Sequence, residues 1–384
     1  MPPGARSGTS LRGGRGFARP FAEIRRVSLN KTRERLRGGA WGRFLLACLS
    51  LAYEIGVRLR NALYGFGLLP TTRLGVRVVC IGNLTTGGTG KTPAVLLAAQ
   101  TLHKLQVKTA ILSRGYGRRG DGRDVQVLLN SQNVHWQDTG DEPWMMHRAL
   151  NGTAIPILIC SDRAKAGLEA MNYYDPETLL LDDGFQHRRL KRDLDIVLVN
   201  ALDPFGGGKL LPAGDLREPI SSLRRAGMAV ITHSDQVPPE RVSEIRDTMR
   251  AVNPQLKILE AVHRADFLLD LKSDRRRRLT YLKGKQIVCL SALGDPRPFE
   301  AHLEATGGHL TQRWRYRDHH PYTLDDLKSI ESVRHGAALI TTFKDMPRLP
   351  PGWQEILAGE VLALGIRMEI TKGRSAWERA LVES

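Results

Sequence analysis

The stretch Val78–Pro93, VVCIGNLTTGGTGKTP, decides the fold. An apolar run ends in a loop with Gly87, Gly88 and Gly90, and Lys91 and Thr92 then open a helix-compatible segment. Strand, glycine-rich turn and helix in that order form a phosphate cradle. Glycines let backbone N–H groups converge on phosphate oxygens, and the helix N-terminus adds a favourable dipole. On this reading residues Thr85, Thr86, Gly87, Gly88, Thr89, Gly90, Lys91 and Thr92 hold a nucleotide. Lys91 reaches the β- and γ-phosphates, and the Thr92 hydroxyl binds Mg²⁺. The full phosphate-loop pattern asks for glycine at position 85, where this chain has Thr85.

Around this loop, short apolar runs alternate with helical stretches. The runs are Val76–Ile81, Thr109–Leu112, Pro156–Cys160, Leu179–Asp183, Ile196–Val199 and Ala229–Thr232. Several are continuous rather than alternating, as in strands buried on both faces. The pattern predicts an α/β fold of the P-loop NTPase type, with a largely parallel sheet flanked by helices. A weaker strand–helix signal resumes at Gln286–Leu290, Ala337–Thr341 and Val361–Ile370. It predicts a second, smaller α/β domain over residues 236–384, after a P-loop domain over 71–235. The last helix is a candidate to return to the first domain.

The second chemical signal is TLLLDDGFQHRRLKRD, Thr178–Asp193. A buried strand ends in Asp182 and Asp183, where carboxylates sit beside a phosphate loop and can hold Mg²⁺ directly or through water. The bland alternative is that one of them serves the Asp-Gly turn.

The chain of 384 residues carries 57 Lys+Arg against 40 Asp+Glu, a formal charge of +17. Such a balance calls for an anionic partner, either nucleic acid, an acidic membrane or a phosphorylated substrate. No zinc finger or aromatic RNA-binding motif supports nucleic acid. The four cysteines are dispersed, which argues against a disulfide framework and fits a reducing compartment. Residues 1–40 are basic and glycine-punctuated and read as a mostly disordered leader, the alternative being an over-extended start site. Residues 41–70 read as an amphipathic helix, either lying in a membrane interface with arginines on lipid phosphates or packed on the next domain. Its most apolar part, Phe44–Tyr53, is too short to span a bilayer.

Taken together, these segments resemble the tetraacyldisaccharide 4′-kinase family of lipid A biosynthesis. The matching blocks are GNLTTGGTGKTP, LSRGYG at 112–117, GDEPWM at 140–145, DDGFQHRRLKRDLDI at 182–196, LLPAGDLREP at 210–219 and DHH at 318–320. Thr85 belongs to the family's own loop.

The resemblance implies transfer of the ATP γ-phosphate, with Mg²⁺, to the 4′-hydroxyl of a tetraacyl disaccharide 1-phosphate. It also implies a protein peripheral to the cytoplasmic face of the bacterial inner membrane, binding anionic lipid and needing neither nucleic acid nor an obligate protein partner. By the same resemblance Asp141 is the carboxylate that draws the proton from the sugar hydroxyl, His319 its partner from the second domain, and Lys91 a catalytic cation. Asp182 and Asp183 serve the metal with Thr92. Arg114, Gln186, His187, Arg217 and Glu218 lie near substrate or nucleotide. Each has a bland reading too: Asp141 can cap a helix, and Arg217 can simply pair with an acid. A switch ATPase that transfers phosphate only to water would use the same loop.

Overall fold

The structure, a computed structural model, describes residues 33, 35–119, 121–129, 134–318 and 320–383. Two compact units divide the chain, at Cys48 and Leu49. Helix α1 (Ala40–Gly65) runs through that division.

Beyond it the elements follow as β1 (Arg77–Asn83), α2 (Lys91–Lys104), β2 (Thr109–Ser113), β3 (Gln126–Leu128), α3 (Asp141–Ala149), β4 (Ile157–Ile159), α4 (Arg163–Tyr174), β5 (Thr178–Asp182), β6 (Leu194–Asn200) and β7 (Met228–Thr232). Then come α5 (Pro239–Val252), β8 (Lys257–Asp270), β9 (Arg275–Arg277), β10 (Gln286–Ser291), α6 (Arg297–Ala305), β11 (His309–Arg315), α7 (Leu324–Arg334), β12 (Ala338–Thr342), β13 (Val361–Lys372) and α8 (Arg374–Val382).

One sheet carries all of these strands, in the order β11-β10-β12-β13-β8-β7-β6-β1-β5-β2-β4-β3, with β9 paired to β8. β1 lies between β5 and β6, parallel to both. Every residue of β2, β5 and β7 is buried, because helices cover both faces. That is the physical reason their sequences are unbroken apolar runs. Helix α2 turns Ala94, Val95, Ala98, Ala99 and Leu102 to the sheet, and three alanines among them allow a close approach of helix to strands.

From β1 the chain steps outward past β5 to β2, and from β5 it returns across β1 to β6. This reversal leaves a crevice at the carboxyl ends of the central strands, the place where open α/β sheets bind ligands. The phosphate loop, Ser113, Asp182, Asn200 and Thr232 all stand at that edge.

β8 is the strand that makes the sheet continuous. Lys257–Glu260 pairs in parallel with β7, and Glu260–Asp270 pairs antiparallel with β13. Helix α8 closes the chain against α2 and β1. Trp377 is buried there, its Nε1 donates to Thr101 Oγ1 at 3.4 Å, and Arg77 Nη2 donates to the Ala380 carbonyl at 2.8 Å.

Candidate active site

The phosphate loop is shaped from three sides. Asn83, the last residue of β1, donates from Nδ2 to Thr89 Oγ1 at 2.9 Å. Thr232 Oγ1 donates to the Thr89 carbonyl at 3.2 Å. From the LREP block, Arg217 N–H donates to the Leu84 carbonyl at 2.7 Å, and Thr86 N–H donates to the Asp215 carbonyl at 2.9 Å. Thr85 bridges Leu216, so the position where glycine was expected is ordered by a short antiparallel contact.

Gly90 has φ of 82° at the N-cap of α2, and a Cβ there would stand 2.6 Å from His263 Nε2. Both the backbone and the space therefore require glycine. Gly87 and Gly88 are exposed, with open space where a Cβ would stand.

Lys91 Nζ lies 3.7 Å from Asp183 Oδ1. Arg217 Nη1 donates to both oxygens of Asp183 at 3.1 Å and approaches Gln186 Oε1 at 3.5 Å. Gln186 Nε2 donates to the Asn83 carbonyl at 3.0 Å. Asp183 also adopts a left-handed backbone, φ 46°, uncommon for a non-glycine residue. Burial acts upward on its pKa, but Lys91 and Arg217 outweigh it and hold the carboxylate ionised below its ordinary range.

Asp182 is the contrasting member. Its Oδ2 accepts from Ser113 Oγ at 3.0 Å, while its Oδ1 is buried without a partner among the described residues. Burial, with Glu142 and Asp183 adding negative charge, pushes its pKa up to about 7.

Asp141 is the first residue of α3, and Gly140 occupies the N-cap. Asp141 is therefore not the cap itself. Its Oδ2 accepts from Arg348 Nη2 at 3.4 Å. Burial raises its pKa, and Arg348 and Lys344 oppose the rise. Glu142, solvent-accessible but hemmed in by protein, also has a raised pKa, with Lys91 pulling against the crowding.

Among the remaining expected residues, Thr92 follows Lys91 in the first turn of α2. Arg114 follows β2 and is exposed. His187 is driven down to about 4, by burial first and then by Arg163. Glu218 points elsewhere. Its buried carboxylate accepts from Asn61 Nδ2 and Ser222 Oγ at 2.8 Å and from Arg225 Nη1 at 3.0 Å. His319 lies outside the described residues, although its neighbour Asp318 pairs with Lys344 at 3.3 Å.

Sequence reasoning passed over Glu142, Lys344, Asp345 and Arg348. Glu142 carried a signal, being adjacent to Asp141. The segment Lys344–Arg348 carried none, since it lies some 200 residues away and reads as an ordinary loop after a strand.

The donor set suits a hard cation. Asp182 presents an orphaned buried oxygen, and Asp183 and Thr92 add oxygen donors beside an open phosphate cradle. Among the described residues no cluster of three metal-ligating side chains occurs. Mg²⁺ fits such a site, because it keeps waters and takes phosphate oxygens alongside one or two carboxylates.

Residues 42–383 match the family described as Tetraacyldisaccharide-1-P 4′-kinase. A tetraacyldisaccharide 4′-kinase of Elusimicrobium minutum is 44% identical over 353 residues, covering 92% of this chain and 94% of that protein. One from Halothermothrix orenii is 36% identical, covering 79% and 82%. Among solved structures, LpxK from Aquifex aeolicus in complex with ATP superposes with a TM-score of 0.70 at 30% identity, covering 88% of this chain and 98% of that one.

Proposed function

The chain belongs to the tetraacyldisaccharide-1-phosphate 4′-kinase family, and from that premise we propose how its own residues carry out the transfer. The enzyme is an ATP- and Mg²⁺-dependent lipid kinase acting on the 4′-hydroxyl of a tetraacyldisaccharide 1-phosphate. The observation that carries the residue assignment is convergence. The phosphate loop, Lys91, Asp182, Asp183 and Arg217 meet at one sheet edge, and α3 brings Asp141 and Glu142 to the same place.

Phosphoryl transfer is mostly positioning and charge neutralisation. The N–H groups of Gly87, Gly88 and Gly90 cradle the phosphates, and Lys91 Nζ neutralises the oxygens of the transferring group. Asp182 Oδ1, Asp183 and the Thr92 hydroxyl would hold Mg²⁺, which when bound supplies positive charge to the phosphate oxygens. Arg217 keeps Asp183 ionised and aimed. Asp141 accepts the proton of the 4′-hydroxyl as the sugar oxygen bonds to the γ-phosphorus and the bridging P–O bond breaks, its electrons leaving with ADP. His319 is assigned as the partner of Asp141 from the second domain, on the resemblance of the DHH block alone. Arg114, Gln186 and His187 are assigned to the substrate side; Glu218 supports the loop through Arg225 rather than reaching the substrate.

The membrane role rests on α1. By length and composition Ala40–Gly65 could cross a bilayer. Its second half is instead hydrogen-bonded along the kinase surface. Ser50 Oγ donates to the Leu210 carbonyl, Tyr53 OH to the Arg217 carbonyl, both at 2.9 Å, and Arg60 to the Gln186 carbonyl. Leu51, Ile55 and Leu59 stay exposed on this half. A helix tied down on one side and apolar on the other lies in the interface plane. We therefore place the enzyme as a peripheral protein on the cytoplasmic face of the inner membrane, with the LREP block next to the lipid. The division of the catalytic unit into a P-loop part and a smaller part beyond residue 235 is likewise proposed, with the β8–β13 pair as the joint.

The test is transfer from γ-labelled ATP to a detergent-dispersed tetraacyldisaccharide 1-phosphate. Wild type is expected to label the lipid. Lys91→Ala should not, and Asp141→Asn should bind nucleotide without transferring phosphate. Full transfer by both variants would sink the site assignment.

A further inference from the structure

The segment after β12 reaches the proposed base. Asp345 is fully buried, and its Oδ2 accepts from Thr342 Oγ1 at 2.7 Å and from Ala292 N–H at 3.1 Å. Its Oδ1 accepts from Arg348 Nη1 at 2.8 Å. One arm of the guanidinium is thereby fixed by a carboxylate that is itself held by two donors. The other arm, Nη2, points at Asp141 Oδ2, 3.4 Å away. Arg348 is buried, with 8% of its surface exposed. A planar fork anchored on one side presents its second donor in a set direction, which a lysine cannot do.

We propose that Arg348 is a positioning residue for Asp141, aiming its carboxylate at the acceptor hydroxyl through the Asp345–Arg348–Asp141 chain. This rests on the reading of Asp141 as the base. Asp141 is crowded by protein, and burial alone favours the protonated acid, which cannot accept a proton. Among the described residues the charges facing Asp141 are Arg348, Lys344 and Asp345 from the segment after β12, and Glu142 from its own helix. Lys344 is paired with Asp318, so among the described residues Arg348 is the cation in direct contact with Asp141. A free carboxylate would also sample several rotamers, and a misaimed base costs rate without costing affinity.

The experiment compares Arg348→Met, Arg348→Lys and Asp141→Asn in the full-length enzyme, using the labelled-lipid assay across pH 5.5–9. Expected for Arg348→Met is a fall in kcat on the order of 10- to 100-fold with KM for ATP and lipid unchanged. The acidic limb of its kcat profile should move to higher pH, because burial then acts on Asp141 unopposed by that cation. Arg348→Lys should recover part of kcat. A purely structural ion pair would lower folded yield or melting temperature but leave the pH limb of the folded fraction in place. Wild-type kcat and pH limb in Arg348→Met, with Asp141→Asn inactive, overturn the proposal and leave Asp141 as the base. Turnover by Asp141→Asn overturns the reading beneath it instead. Should Arg348→Met not fold, Arg348→Lys decides: a reduced kcat at unchanged KM supports the positioning role, and a kcat and pH limb equal to wild type refute it.

Discussion

Adjacent aspartates at the end of β5 meet opposite electrostatic fates, and the difference is testable. Asp183 is held ionised by Lys91 and Arg217, whereas Asp182 is pushed up to about 7 by burial. A carboxyl with a raised pKa binds its proton more tightly folded than unfolded. Its contribution to stability therefore falls as pH rises from about 4 to about 7, then levels off. Asp182→Asn removes that charge at every pH. The variant, free of nucleotide and metal, should melt near wild type at pH 4 and above it at pH 8. The gain is at most about 4 kcal/mol, from roughly three pKa units at about 1.4 kcal/mol each. Equal melting temperatures at pH 8, by calorimetry, would show that Asp182 ionises freely in the apo protein. The same variant should lose transfer, since it replaces the carboxylate assigned to Mg²⁺ with a neutral amide. Both aspartates were legible in the sequence because a strand and an acidic end are local signals. Their unequal protonation was not, because it depends on Glu142, Lys91 and Arg217, which come from three other segments.

At the scale of single elements, local patterns read well where burial was two-sided and poorly where it alternated with charge. The continuous runs of β1, β2, β5 and β7 declared themselves. β8 did not, although it joins the two halves of the sheet. Its sequence KILEAVHRADFLLD mixes buried apolar residues with Glu260, His263 and Arg264. The structure shows why these are tolerated. Glu260 is paired with Arg246 and Lys372, and His263 fills the space left by Gly90. His263 makes the phosphate loop and β8 interdependent. Gly90→Ala should lower stability by about 1–2 kcal/mol from its left-handed backbone alone, and more from the collision with the imidazole. Nucleotide affinity should fall with it, read by calorimetric titration. Adding His263→Ala should recover the part due to collision and not the part due to backbone. Full recovery would assign the whole cost to space, and no recovery would assign it to φ. The second half of α1 offers a parallel test. Leu51→Glu with Ile55→Glu changes only its exposed apolar face. It should weaken co-sedimentation with vesicles while leaving transfer to detergent-dispersed lipid intact.

On the proposed peripheral placement, charge and apolar surface across the whole molecule supply two separable means of reaching a membrane. Of the formal +17, residues 1–40 contribute ten basic and two acidic groups, or +8, which leaves +9 for residues 41–384. The family match, by contrast, begins at residue 42, so catalysis and much of the positive charge belong to different stretches of chain. The Pro pair near residue 238 suggests a domain break in the sequence, whereas the sheet continues past it through β7 and β8. Charge accumulates over the whole chain and needs no such local signal. Attraction between basic segments and anionic lipid decays within a Debye length, about 8 Å at physiological salt and about 3 Å at 1 M. Insertion of the exposed leucines and isoleucine of α1 depends on apolar area instead and is little screened. Full-length protein on vesicles containing phosphatidylglycerol should therefore show a steeply salt-dependent component of binding over a salt-resistant floor. Removing residues 1–40 should lower the salt-dependent component, at roughly 1 kcal/mol per basic residue held at the surface, and leave the floor. Leu51→Glu with Ile55→Glu should do the reverse. If the truncated protein keeps the full salt response, the +9 on the remaining chain governs attraction. If the double variant keeps the floor, α1 is docked on protein rather than on lipid, and the interfacial placement of the enzyme has to be abandoned.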